Sequence, residues 1–295
     1  MTQERTATVQ PSIVEPRSHT RTTPARPWLW LPVLIVGAMI YGLLLLALQG
    51  TGNPIYVPSV ILVGAAVVPI AFVTFISGRR LVFGVGGTAI GLTALLGGVV
   101  GVLAAGTLEY ETLRSLGAVP LLAVGVIEEA AKLLVPLVVL VLLRRRRQPG
   151  DGLLLGVAAG AGFAVLETMG YALVALVESR GDLTVLNSIL VDRGLLSPAA
   201  HMAWTGLAAA ALWRAADRRW RWRPTAAFVG AFLLVAVLHA LWDGTTSGWA
   251  HGVLAVISLG GLLWTAHRLA APGKRPWLLV RGVWSGSGSA VVPGA

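Results

Sequence analysis

The sequence predicts an all-α polytopic membrane protein, a bundle of about eight transmembrane helices with both termini cytoplasmic. Three observations carry this reading. Charged residues make up 12% of the 295-residue chain, against roughly 25% in a soluble globular domain. No charged residue falls between Arg26 and Arg79, nor between Arg80 and Glu109. The lysines and arginines outside the apolar runs gather in short clusters that alternate with those runs. With a mean hydropathy of +0.77, the chain lacks the polar side chains to cover a water-facing surface, so its solvent is lipid.

Residues 1–27 are rich in Thr, Pro, Arg and Ser and read as a disordered cytoplasmic tail. The first apolar run is long enough to span a bilayer and reads as a retained helix, not a cleaved signal peptide. Apolar runs follow at 28–48, 57–77, 81–106, 118–143, 152–177, 197–213, 224–246 and 250–266. Turn chemistry separates them at 49–54, 77–78 and 148–150. The ~10-residue alternating segments of a membrane barrel are not seen. The transmembrane domain thus covers 28–269, and 178–196 reads as an outer loop. Residues 270–295, with a Gly-Ser-Gly-Ser stretch, read as a second cytoplasmic tail.

Charge distribution sets the orientation. Nineteen lysines and arginines fall on one side, in the two tails, at 79–80, at 144–147 and at 214–223. Only Arg114, Arg180 and Arg193 fall in the opposite loops. This excess marks the cytoplasmic side and a multi-pass protein of the cell membrane. The net charge of +10 is therefore a topology signal, and no nucleic-acid partner is expected. The chain has no cysteine, which excludes disulfides, thiolate metal sites and a cysteine nucleophile.

Four charges lie deep inside spans: Glu128, Glu129 and Lys132 in the fourth, Glu167 in the fifth. Each costs ~2.5–3.5 kcal/mol at a helix centre, so three together offset most of what the fourth span's aliphatic residues contribute. Intramembrane ionisable groups point to function. Glu128 and Lys132 stand four apart in the favourable order for an ion pair. Adjacent glutamates point ~100° apart, so one can face a cavity while the other orients it. Later spans add His201, with Thr205 one turn on, and the pair His239 and Asp243, four apart on one face. Ser197 and Pro198 read as the N-cap and first residue of the sixth span. By helical rise, Glu128 and Glu167 lie ~15 Å below the outer ends of their spans, and the others ~5–10 Å below theirs. These five fall in the outer half, where helices packed ~8–10 Å apart can bring them around one water-filled pocket open to the extracytoplasmic side. Gly152, Gly156, Gly160 and Ala164 form a small-residue stripe for close helix contact. Among the remaining histidines, His19 lies in the tail and His267 at a cytoplasmic end, while His251 starts the eighth span near the mouth.

These residues fall into four motifs. Glu128-Glu129-Ala-Ala-Lys132 resembles the EExxK motif of the PrsW family of intramembrane proteases, and Phe163-Ala-Val-Leu-Glu167 resembles its FxxxE motif. His201-Met-Ala-Trp-Thr205-Gly206 is similar to its HxxxTG motif and His239-Ala-Leu-Trp-Asp243 to its HxxxD motif. The resemblance covers roughly 118–246, with the motifs in order. Thr168 stands where the family usually has Asn after the Glu. In the wider superfamily of CAAX prenyl endopeptidases and related CPBP proteins, the second motif carries His and the first has Arg one position later, so this chain resembles the PrsW branch. The resemblance implies regulated cleavage of membrane-anchored proteins, with anti-sigma factors as a substrate class.

Peptide hydrolysis needs an activated water, an oxyanion stabiliser and a proton donor. Glu128 or Glu129 is the candidate base. A metal version uses Glu167, His201 and His239 as three ligands, with zinc as the expected ion and a position left open. A metal-free version uses the glutamates as acid and base and the histidines as oxyanion donors. In either, Asp243 orients His239 and Lys132 holds one glutamate ionised. The competing function is a proton-coupled transporter or channel using the same Glu/His cluster, but the internal repeats it predicts are not found.

Overall fold

A bundle with oily side chains outside and small ones inside is what a lipid-solvated helical chain must build, and the computed structural model has that form. It describes residues 26–79, 81, 83–117, 120–142 and 148–270. The sequence-predicted tails and the arginine run at 144–147 fall largely outside them. The helices among the described residues are α1 (Trp30–Thr51), α2 (Val57–Ser77), α3 (Gly87–Leu116), α4 (Leu121–Leu142) and α5 (Pro149–Glu178). They continue with α6 (Leu183–Leu196), α7 (His201–Asp217), α8 (Trp222–Asp243) and α9 (Gly248–Leu269). No strand occurs among the described residues, and Leu81 and Ala270 form an isolated bridge.

Among the described residues, seven stretches are long and apolar enough to cross a membrane, α6 and α7 counting together as one. The 22-residue α4 has comparable length, but it carries Glu128, Glu129 and Lys132. The chain is an all-α polytopic membrane protein. Leu46, Leu103 and Val256 are among the large apolar side chains facing outward, as lipid contact demands.

The middle of the bundle is α5, buried from Gly150 to Ala161. Its predicted small-residue stripe does pack, and α7 is what it packs against. A Cβ at Gly152 would lie 2.6 Å from the Ala209 carbonyl oxygen, and Gly156 and Gly160 face the carbonyls of Thr205 and His201 in the same way. An adjoining face meets α3, where a Cβ at Gly98 would lie 2.7 Å from the Gly162 carbonyl oxygen. The start of α5 is tied down by Asp151, whose Oδ1 accepts from the amides of Gly84 (2.6 Å) and Val85 (3.1 Å).

Two sequence expectations are corrected. The supposed outer loop at 178–196 contains α6, a 14-residue helix capped by Asp182, whose Oδ1 accepts from the Thr184 amide at 2.7 Å. Leu186 and Leu190 of α6 are buried in one apolar cluster with residues of α2 and α5, and this packing overrides the mixed polarity that suggested a loop. Nor does Ser197 cap the following helix. Its hydroxyl donates back to the carbonyls of Arg193 (2.8 Å) and Gly194 (3.0 Å). Residues Ser197–Ala199 form a single 3-10 turn and Ala200 leaves helical geometry (φ −111°, ψ −113°). The turn is buried, the condition under which non-helical backbone is tolerated at membrane depth.

Replacing Gly156 with Val forces α5 and α7 apart and is expected to cost about 1–3 kcal/mol, the usual penalty for overpacking. Gly170→Ala, where the added Cβ meets nothing within 4 Å, is expected to be neutral or slightly stabilising. Thermal unfolding of both variants in detergent checks the contrast.

Candidate active site

Two backbone crossings set the ionisable groups in place. Gly125 of α4 lies against the Ala236 carbonyl of α8, and Gly160 of α5 against that of His201 at the start of α7. One helical turn beyond the first crossing, Glu128 and Glu129 face His239. The second crossing fixes His201 beside the C-terminal half of α5, which carries Phe163 and Glu167.

Lys132 is fully buried, and its Nζ lies 3.0 Å from Glu128 Oε2, 2.8 Å from Glu129 Oε1 and 2.8 Å from His201 Nδ1. It also sits 4.2 Å from the centroid of the Phe163 ring, a cation–π contact. An ammonium only donates, so Nδ1 of His201 accepts and its ring proton resides on Nε2. That proton is donated to Glu167 Oε2 at 2.9 Å. The same oxygen accepts from Arg193 Nη2 of α6 at 2.7 Å, and the guanidinium stacks 4.1 Å from the Tyr171 ring centroid.

His239 is held the opposite way round. Its Nδ1 lies 2.9 Å from Glu129 Oε1, and a carboxylate accepts, so Nδ1 carries the proton. The lone pair on Nε2 then faces Glu128 Oε2 and Asp243 Oδ2, each at 3.4 Å, beyond the usual 2.7–3.2 Å of an N–H···O bond. Trp204 stacks on the imidazole at 4.8 Å and is itself anchored by its indole N–H donating to Ser258 (2.9 Å). Thr205 reaches Glu129 Oε2 at 3.4 Å. Both oxygens of Glu129 are thereby engaged. Glu128 Oε2, although at ion-pair distance from Lys132, accepts no well-directed hydrogen bond.

Glu128, His201 and His239, from three helices, each offer one donor atom, and these atoms lie within 4.8 Å of one another. All three residues are buried. A cavity of about 470 Å³, lined by Thr168, Arg193, Ser197, Trp242 and His251 among others, reaches His201 of this group.

The family model for the PrsW family intramembrane metalloprotease matches residues 70–267. This chain belongs to that family. No curated protein and no solved structure matches it. Membership makes it a membrane-embedded protease, and its metalloprotease description agrees with a Glu/His/His donor group in the bundle.

Every charged residue and histidine of the four PrsW motifs, with Phe163 and Thr205, has a contact in this cluster, but with a different division of contacts from that expected. Glu167, expected beside the histidines as a third ligand, instead grips the Nε2–H of His201, and Glu128 stands with the two imidazoles. Glu129 holds the Nδ1 side of His239, while Asp243 lies on the Nε2 side. His251 does line the cavity, its Nε2 3.1 Å from the Trp242 carbonyl oxygen. Two further residues do not stand out in the sequence. Arg193 reads there as a loop charge. Glu109 near the end of α3 has a buried Oε1 without a hydrogen-bond partner among the described residues.

Lys132→Met strands two buried carboxylates and is expected to destabilise the protein by about 3–5 kcal/mol. Adding Glu129→Gln should restore part of that loss, since the two changes share one interaction. Arg193→Gln, at a partly exposed pair, is expected to cost no more than about 1 kcal/mol. Unfolding of the variants in one detergent measures all three.

Proposed function

We propose that the chain is an endopeptidase of the cell membrane that hydrolyses membrane-anchored proteins near the extracytoplasmic side, with a divalent metal held by Glu128, His201 and His239. The observation that carries this is the convergence of those three donors, with each imidazole held through its other nitrogen by a carboxylate. Two imidazoles and a carboxylate are the ligand type of catalytic zinc sites, and an outer carboxylate on each imidazole is the usual support. Charge favours the same reading. Glu128, Glu129 and Glu167 pair with the cations Lys132 and Arg193, and Asp243 adds a fourth carboxylate beside His239, a formal excess of two negative charges that a divalent ion balances.

The metal, when bound, supplies Lewis-acid chemistry, polarising a peptide carbonyl and acidifying water. The remaining roles belong to side chains. Glu129 fixes the tautomer of His239 and turns Nε2 inward. Glu167, steadied by Arg193, holds His201 through Nε2, so Nδ1, which accepts from Lys132 Nζ at 2.8 Å, is the nitrogen that a metal would take over from the ammonium. Lys132 offsets the charge of Glu128 and Glu129. Asp243, with its side chain about one-third exposed, stands at the open edge and takes the proton from the attacking water, then returns it to the leaving amine. Trp204 and Trp242 shield the imidazoles from bulk water.

The arginine excess at the end of the bundle away from this cluster supports a site opening outward and both termini in the cytoplasm. The family resemblance supports anti-sigma factors as the substrate class.

Elemental analysis of the purified protein, paired with cleavage of a membrane-anchored substrate, tests the assignment. Glu128→Gln, His201→Ala and His239→Ala are expected to lose the metal and cleavage together. Glu167→Gln is expected to lower metal affinity or activity about 10–100-fold. Asp243→Asn should keep the metal while kcat falls roughly 10²–10⁴-fold. Metal retained in a His201→Ala/His239→Ala double variant would overturn the ligand set. Cleavage by a metal-free preparation would leave Glu128 as the group that activates water.

A further inference from the structure

At the end of α7 opposite His201, the bundle carries a second concave feature that the proteolytic reading leaves unused. A groove of about 700 Å³ lies between α7, α8 and α9. Its walls are apolar, with Leu207, Ala231, Leu234 and Trp264 among the lining side chains. Three arginines from three helix ends stand on its rim: Arg214 in the last turn of α7, Arg223 in the first of α8 and Arg268 in the last of α9. All three are exposed, and none forms an ion pair among the described residues. Arg218 and Arg221 extend the same patch into an adjoining basic hollow.

The turn between α7 and α8 fixes the depth of this feature. Arg219 and Trp220 both take left-handed backbone geometry (φ 52° and 57°), a conformation that costs energy in non-glycine residues. The Trp220 amide is held by the Ala215 carbonyl oxygen at 2.8 Å. Trp220 and Trp222 are exposed. Exposed tryptophans beside arginines mark the level at which hydrocarbon gives way to headgroups. An apolar trough ending in guanidinium groups that have no ion-pair partner among the described residues, two of them stacked on Trp222 and Trp264, complements an acyl chain attached to a phosphate.

We propose that the groove between α7, α8 and α9 is a binding site for an anionic phospholipid, with its phosphate on Arg214, Arg223 and Arg268 and an acyl chain along Leu207, Leu234 and Trp264. Guanidinium groups suit phosphate because their planar N–H pairs match two oxygens at once. Basic pockets between transmembrane helices bind anionic headgroups on the same principle. The site is independent of the catalytic cluster, so its test needs no activity.

Native mass spectrometry of the full-length protein in detergent, titrated with phosphatidylglycerol or with phosphatidylcholine of the same acyl chains, tests the proposal. The expected result is one phosphatidylglycerol retained per chain in preference to phosphatidylcholine. Each arginine near an anionic headgroup contributes about a fivefold gain, so Arg214→Gln/Arg223→Gln/Arg268→Gln should weaken binding on the order of a hundredfold. Leu234→Trp fills the trough with all three charges in place and is also expected to lose the lipid, which keeps the proposal testable if the triple variant does not fold. Equal retention of both lipids, or unchanged phosphatidylglycerol binding in Leu234→Trp, would overturn it. Displacement of the lipid by inorganic phosphate alone would reduce the site to an ion site and overturn the acyl-chain assignment. A photo-crosslinker at position 234 that captures residues 271–295 would give the groove to the chain's own C-terminal segment, with the same consequence.

Discussion

A lysine ammonium sealed inside a membrane protein must find partners for its charge and its N–H groups, and at Lys132 that requirement organises the bundle. Glu129, an acceptor, and Glu128, at ion-pair distance, come from its own helix, but the second acceptor, His201, comes from α7. Accepting from Lys132 sets the tautomer of His201, which turns its other nitrogen to Glu167 and through it to Arg193 on α6. Glu129 in turn holds His239 on α8. One buried cation thus commits five helices to a single arrangement. Such networks are worth little when incomplete and are rigid when every member is satisfied.

Contacts this short between side chains need helices at backbone distance, and glycine supplies that approach. The crossings at Gly125 and Gly160 occur within about a turn of Glu128 and His201, so the close approach and the chemistry share one place. Each crossing seats a Cα hydrogen against a carbonyl where any larger side chain would collide. Lipid offers no hydrophobic drive for helices to associate with one another, so tight packing of this kind has to provide it.

The sequence discloses most of the bundle because hydrophobic length is a strong signal. It also discloses the residues of the cluster, because a charge in a span is so costly that each one stands out. What it conceals is pairing. Glu128 and Glu129 are adjacent and chemically identical, and only the rotation of α4 against α8 decides that Glu129 is fully enclosed while Glu128 keeps an oxygen outside any well-formed hydrogen bond. Glu167 and Glu128 lie at similar depth, so depth alone does not tell which joins the imidazoles. Arg193 was hidden by the same rule that gave the topology, which treats a basic residue between spans as a loop charge. The signal that could have recovered it was local. Asp182 followed by Leu-Thr is a helix start, and a helix over 183–196 carries Arg193 back toward the bundle. Gly125 left no trace, since a lone glycine in an apolar run has many uses.

The charge content of α4 also bears on how the protein is made. This segment emerges with Glu128, Glu129 and Lys132 among its aliphatic residues, a composition that partitions poorly into lipid by itself. Its intrahelical pairs with Lys132 can close at once, but the imidazoles follow 69 and 110 residues later in the chain. At ordinary synthesis rates that interval is on the order of ten seconds. Through that time α4 has to be sheltered, by the insertion machinery or by the helices already delivered, of which α3 is the nearest. Assembly of this membrane domain is therefore a collective event that completes only when α8 arrives, and a ribosome stalled before His239 leaves α4 without the partner that makes its residence in the bilayer stable.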